Sequence, residues 1–524
     1  MQPNFEHQPQ AKSTANVKAS YGIVILLIIA TGILAYTILA KPLNLNHDAT
    51  LNLEIGRYLL EGRIPYLDYY EINPPLVQYL NILPAYISQV TSINPITVYL
   101  LLMFVTVMYI AWLSYRLGYP IIKSNDGLIA YLIPLIIIII SLETRRDFGQ
   151  RDHLVVLLLI PYLLLRILRW EKHTIGITSV ISIGVMAGLG LGIKPYFAIS
   201  VIVVEVYGLL RYRQIRTWFT PEVIIIGVIG FAYIGHFWLL PITAREHFFG
   251  VLLPEIIANY DSYNLTLDRE AMGLATLFLI PHTLWLTLVI IVLSITLILR
   301  SHYGYLIYPF GLFAIASWWV FWVQQAHFTY HAMPFVFSAV ITVAFATFLP
   351  LSSRGVVGRG IVLSMLAITL IYIRIPSTPY APPSEHIMQE YSEIGDTVFF
   401  IDTTGRNIYP LITQLERKNE ASYLFGFPIP FALYPLEDPN TIYEDGAFPD
   451  LLERYLVTLA NDIEQHQPSM IFVRTDNCRS CPVGFNIHTF LDVIGFLDTH
   501  IRPTYVTIDA SMPHFVIYVR ATPE

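Results

Sequence analysis

The chain has 524 residues, of which 55% are hydrophobic and only 13% charged, and its mean hydropathy is +0.56. Those values exclude an ordinary soluble domain and require many membrane spans. The net charge of -7, with no long basic run, excludes nucleic acid as an expected partner.

Residues 1–20 are polar and carry Lys12 and Lys18 ahead of the apolar run 21–40. No small-residue cleavage site follows that run, so it reads as a retained first helix behind a cytoplasmic tail. A polar interruption, His47 to Leu76, comes next. Within it Leu51, Ile55, Tyr58 and Leu59 recur at helical spacing, which predicts a short amphipathic helix after Asp48. Two readings of Asp48 stand side by side: an N-cap for that helix, or a catalytic carboxylate at the membrane surface. Tyr66, Tyr69 and Tyr70 suit an interfacial aromatic belt and equally a platform for a sugar. Pro74-Pro75 ends this polar stretch and starts the next helix. The run 76–90 is short and holds Pro84, Gln78, Asn81 and Gln89, so it is expected to lie at the interface and not to cross.

Further apolar runs follow at 97–115, 127–142, 153–168, 175–192, 195–210, 222–241, 272–299, 304–323, 332–350 and 360–375. With 21–40 they predict a polytopic α-helical membrane protein of about eleven spans. If 76–90 does not cross, one set of loops collects Arg116 and Lys123, then Arg166, Arg169 and Lys172, then Arg211, Arg213 and Arg216, then Arg300, and then Arg354 and Arg359. Short loops so rich in Lys and Arg belong on the cytoplasmic side. The opposite face receives 47–76, 143–152 and 242–271, which hold most of the loop acids. The first of these lies in a candidate catalytic loop, 41–96, of a membrane domain spanning 21–375.

Three clusters on that outer face can carry chemistry besides Asp48. The stretch 143–153 holds Arg145, Arg146, Asp147, Arg151 and Asp152, which form either an ion-pair network or a phosphate site built on arginine forks. Lys194, between two apolar helices, either snorkels to the interface or neutralises a lipid phosphate. His327 and His331 have metal-ligand spacing but no evident third ligand, so neither a metal nor any other cofactor is expected. The glycines of 184–192 lie inside an apolar run and suit close helix packing better than phosphate binding.

Prolines cluster at 376–383 and mark a linker, 376–384, before a region of soluble pattern, 385–524. Strands are expected at 397–401, 470–473, 505–508 and 514–519, with helices at 449–466 and 486–500. The region is therefore expected to be an extracytoplasmic α/β domain with a partly parallel sheet. Its Cys478 and Cys481 fit a disulfide better than a redox motif or half of a zinc site.

An acidic residue after the first helix, then Arg57-Tyr58 on a helix, then Pro74-Pro75-Leu76 resembles the GT-C superfamily of membrane glycosyltransferases. The likeness is to the protein O-mannosyltransferase and aminoarabinose transferase branch. Asp152 at the head of a Leu-rich span and the glycine-rich run ending in Lys194 match two further elements of that pattern. The chain departs from it in placing Ala49 after Asp48, and Glu71 three positions before the proline pair. The resemblance implies a bacterial inner-membrane enzyme that moves a sugar from a polyprenyl-phosphate donor to a hydroxyl of a glycan, lipid or protein acceptor, with inversion and without a metal. Asp48 and Asp152 would be catalytic, Asp48 as general base. Arg57, Arg63, Tyr70, Glu71 and Asp147 would bind substrate, and Arg146, Arg151 and Lys194 would hold phosphate. A flippase for lipid-linked glycans or a non-catalytic membrane scaffold is the alternative. The first would need polar residues along several spans, and these are nearly absent.

Overall fold

The computed structural model describes residues 14–40, 45–71, 73, 75–121, 128–144, 147–258, 281–299, 304–324, 329–348, 383–406, 408–433, 449–476, 481, 485–508 and 514–521. The expected span 360–375, linker residues 376–382, Pro74, Arg145, Arg146, His327 and Cys478 lie outside the described residues.

Each of the other ten expected spans contains a helix. In chain order the membrane region runs α1 (Thr14–Ala40), α2 (His47–Leu60), α3 (Leu76–Leu80), α4 (Ile82–Thr91), α5 (Pro95–Ile121), α6 (Leu128–Glu143), α7 (Arg151–Trp170) and α8 (Ile177–Ile193). It continues with α9 (Ala198–Tyr212), α10 (Pro221–Gly235), α11 (Ile242–His247), α12 (Pro281–Ile298), α13 (Gly304–Val323) and α14 (Met333–Phe348). By length and composition, six segments among the described residues can cross a bilayer: Pro95–Pro120, Arg151–Trp170, Pro195–Tyr212, Pro221–Leu239, Gly304–Val323 and Tyr330–Thr347. Parts of α1, α6, α8 and α12 form shorter apolar helices. Continuous Leu, Ile and Val runs become helices here because lipid offers no partner for an unpaired backbone group. Segment 76–90 is broken at Asn81 into helices of five and ten residues, each too short to span 30 Å of hydrocarbon.

Helix α7 is apolar on nearly all sides and is the buried axis of the bundle, packed against α5, α8, α13 and α14. Helix α10 is the opposite case. Phe231 is 81% and Leu239, just beyond the helix, 87% exposed, as a face turned to lipid would be. The glycines of α8 let α10 approach. A Cβ on Gly188 would sit 2.7 Å from the Ile229 side chain, and one on Gly184 would meet the Glu222 backbone at 3.0 Å.

Arg166, expected in a cytoplasmic loop, lies instead within α7 and is fully buried. Its guanidinium takes both oxygens of Glu205 from α9, at 2.6 and 2.8 Å, and Glu222 from α10 at 3.1 Å. Arg169 shares Glu222. A hydropathy window sees only the cation; the two acids that let it stay inside come from other helices.

The C-terminal region opens with α15 (Pro383–Tyr391), which begins within the expected linker. Its sheet comprises β1 (Val398–Ile401), β2 (Met470–Arg474), β3 (Tyr505–Ile508) and β4 (Phe515–Arg520), and its larger helices are α16 (Asp450–His466) and α17 (Ile487–Val493). The strand order is β1-β2-β4-β3, with β1 parallel to β2 and the other pairs antiparallel. A π-helical turn, Leu497–Ile501, replaces the last part of the helix expected over 486–500. Cys481 is disulfide-bonded, and Cys478 is the only other cysteine in the chain.

Alternation along β1 and β2 separates two cores. Phe399, Ile401, Ile471 and Val473 face α16 and α17, while Val398, Phe400, Met470 and Phe472 pack against Leu51, Ile55 and Tyr58 of α2. The apolar face that marked α2 as amphipathic is thus covered by the C-terminal sheet. At roughly 1.5–3 kcal/mol for each fully buried large side chain, that contact holds the domain against the membrane region. Arg57 with Glu54, Glu61 and Glu420, and Arg63 with Glu420, add ion pairs along the same seam.

Candidate active site

The site begins at Asn46. Its Oδ1 accepts the Asp48 N–H at 2.8 Å, so Asn46, and not Asp48, caps α2. The Asp48 carboxylate, at the positive end of the helix, faces other elements. It accepts from Gln150 Nε2 at 2.9 Å and from the Tyr330 hydroxyl at 3.1 Å, and it lies 3.3 Å from His47 Nε2 and 3.9 Å from Arg151 Nη2.

Gln150 is in turn the N-cap of α7, its Oε1 accepting the Asp152 N–H at 3.1 Å. One side chain therefore ties two helix starts, and both acids, together. A second tie runs beside it, where Asn46 Nδ2 donates to Asp147 Oδ1 at 2.5 Å. Lys194, at the turn after α8, donates to Asp152 Oδ2 at 2.5 Å, and its ammonium lies 5.9 Å from the Tyr330 ring. Glu71 accepts from the backbone and side chain of Asn73, whose Oδ1 accepts from Arg151. A continuous path therefore runs Glu71, Asn73, Arg151, Asp48.

The structure brings together Asp48, Glu71, Asp147, Arg151, Asp152 and Lys194. It does not bring in Arg57 and Arg63, which are engaged in the ion pairs of the domain seam. Tyr70 points away from the cluster toward Tyr423 and His247. Asp48 is 19% and Arg151 11% exposed, against 0% for Asp152 and 5% for Lys194, so a substrate from water meets the first two.

Burial acts on each ionisable group, and its neighbours decide the outcome. For Asp48 burial raises the pKa, but the charges of His47 and Arg151 and the Tyr330 hydrogen bond outweigh it, leaving the carboxyl below its ordinary value. For Glu71 burial wins over the Asn73 hydrogen bonds and its pKa rises. Burial pulls the Lys194 ammonium down to about 8 against the pull of Asp152. The site therefore holds an ionised carboxylate, a carboxyl easier to protonate and a lysine close to neutralisation. Among the described residues no group of three or more His, Cys, Asp or Glu side chains is placed to hold a metal ion.

Asn46, Asn73, Gln150 and Tyr330 were missed in the sequence. A cap signal was available for Asn46, since Asn is a preferred N-cap and stands two residues ahead of an acid that opens a helix. Nothing local marks Tyr330, which lies 282 residues from the aspartate it contacts.

The family model "Glycosyltransferase family 87" matches residues 72–303. Among solved structures, ArnT from Cupriavidus metallidurans, crystallised in the apo state, is similar with a TM-score of 0.52 at 12% identity, over 97% of this chain and 100% of that one. No curated protein matches the chain by sequence. The overall fold is thus similar to that of this ArnT. By the family 87 model and by its fold the chain is similar to membrane glycosyltransferases.

Proposed function

We propose that the chain transfers a sugar from a polyprenyl-phosphate donor to an acceptor hydroxyl, with Asp48 as general base. The observation that carries this reading is the convergence of Asp48, Arg151, Asp152 and Lys194 from three separate stretches onto the mouth of one bundle. An acceptor O–H gives its proton to Asp48 while its oxygen bonds to the anomeric carbon from the face opposite the phosphate. The bond from that carbon to the phosphate oxygen breaks as the new one forms, so the configuration inverts. Negative charge then grows on the departing polyprenyl phosphate, where Arg151 and Lys194 stabilise it. Asp152 holds Lys194 in place, and the low Asp48 pKa keeps the base ionised at neutral pH, so placement and not strong basicity drives the step.

We assign the site and the C-terminal domain to the extracytoplasmic face of the cell membrane. In support, the basic stretches at 169–172 and 211–216 lie at the ends of α7 and α9 remote from Asp152 and Lys194. Membranes carrying the protein should transfer label from a panel of polyprenyl-phosphate sugars, and Asp48→Asn should abolish transfer at an unchanged protein level. Full activity in that variant would refute the Asp48 assignment, and no transfer by wild type from any donor would favour a non-catalytic scaffold.

A further inference from the structure

Outside the catalytic cluster lies a concavity that none of the chemistry above uses. It is a cleft of about 270 Å³ between the chain just after α11 and the outer face of α16. Tyr70 and Tyr423 form its back wall, with ring centroids 4.6 Å apart, and His247 packs 5.2 Å from Tyr70. Glu255 and Arg454 are ion-paired where the membrane region meets the C-terminal domain, and Glu453 and Val457 complete the α16 side.

The lining has two characters. Aromatic faces offer an apolar platform, while two carboxylates and a guanidinium supply charged hydrogen-bonding groups. A pyranose has the matching pair of surfaces, a C–H face and a rim of hydroxyls. The cleft falls just under the roughly 300–1,000 Å³ usual for small-molecule pockets, which suits one sugar ring and not a lipid chain. Two acids against one cation make it net negative, which opposes a phosphate or other anion.

Its position gives the cleft a role. The Tyr70 N–H donates to Ser422 O at 2.9 Å, so the segment carrying Tyr70 runs beside the C-terminal domain. Ser422 is itself fixed by Asp462 through two hydrogen bonds, at 2.8 and 2.9 Å. Successive side chains of this segment face opposite ways, Tyr70 into the cleft and Glu71 into the path that leads to Asp48. Their Cα atoms are about 3.8 Å apart, so the cleft adjoins the Glu71 end of that path.

We propose that this cleft is an acceptor subsite that holds a neutral or amino-bearing sugar unit of a glycan while a neighbouring unit presents its hydroxyl to Asp48. The acceptor class is then a glycan, and the C-terminal domain supplies half of its binding surface. This rests on the reading of the chain as a glycosyltransferase.

The test uses the full chain in a detergent without a sugar headgroup. Saturation-transfer NMR is recorded with maltotriose, mannotriose, glucosamine and inorganic phosphate as probes, together with acceptor kinetics. Val457 is 56% exposed on α16, so Val457→Trp should fold normally while filling the cleft. Wild type should bind at least one saccharide and not phosphate. Val457→Trp should weaken that binding at least tenfold and raise the acceptor KM without changing kcat, and Glu453→Ala should weaken it in the same direction. Asp48→Asn should bind the saccharide normally while losing transfer. Equal saccharide binding by wild type and Val457→Trp, a preference for phosphate, or no saccharide binding by wild type would overturn the subsite. Transfer that still depends on Asp48 would in each case leave the glycosyltransferase reading standing.

Discussion

Replacing Gln150 with alanine tests whether Asp48 must be held in place by its neighbours. The substitution removes the 2.9 Å hydrogen bond to Asp48 Oδ2 and the 3.1 Å cap on the Asp152 N–H. A hydrogen bond to a charged group is worth about 1.5–3 kcal/mol. Asp48 keeps Tyr330 and Arg151 and remains partly open to water, so the lower figure applies. At 1.36 kcal/mol per factor of ten, kcat should fall roughly tenfold, with little change in KM for either substrate. The lost cap should cost about 1 kcal/mol of stability, seen as a lower melting temperature in detergent. Transfer from a labelled lipid-linked donor at saturating acceptor measures the first effect. In a double-mutant cycle with Tyr330→Phe the losses should exceed additivity, because both groups hold the same oxygen. A loss under twofold in Gln150→Ala, or strict additivity in the cycle, would refute the positioning role.

The alkaline side of the pH–rate profile should report Lys194. Its ammonium is charged below about 8 and is lost as pH rises through that value, so transfer should decline there; Lys194→Arg should carry the plateau to higher pH, and an unmoved limb would exclude Lys194 as its source. Arg166→Met should destabilise the protein by about 3 kcal/mol, since Glu205 and Glu222 remain in place with less cation to pair them. Thermal unfolding in detergent measures this, and a melting temperature within error of wild type would count against the network. Tyr58 is fully buried between α2 and the C-terminal sheet, so Tyr58→Ala should cost about 3–5 kcal/mol. The loss should loosen the domain seam, making the segment around Asn419 more sensitive to limited proteolysis while the bundle stays resistant.

What was legible in the sequence follows from local periodicity. Runs such as 153–168 must be helices in lipid whatever surrounds them, and strands such as 470–473 declare themselves by alternation within a few residues. The apolar stripe of α2, Leu51, Ile55 and Tyr58, was visible for the same reason, and so were the charged residues that stand out against an apolar background: Asp48, Asp152, Lys194. Tertiary structure alone decided what each of those groups meets. Arg57 and Arg63 look like substrate ligands beside Asp48 in the chain, yet Glu420, far away in sequence, draws both into the domain seam. Arg166 looks like a loop cation until Glu205 and Glu222 come in from two other helices. Whether Asp48 capped a helix or faced a substrate turned on Asn46, two residues away, and on Gln150 and Tyr330, which are 102 and 282 residues away. Helix and strand formation depends on neighbours along the chain, whereas the ionisation and orientation of a carboxylate depend on charges within a few ångströms in space. Only the packed bundle brings those together.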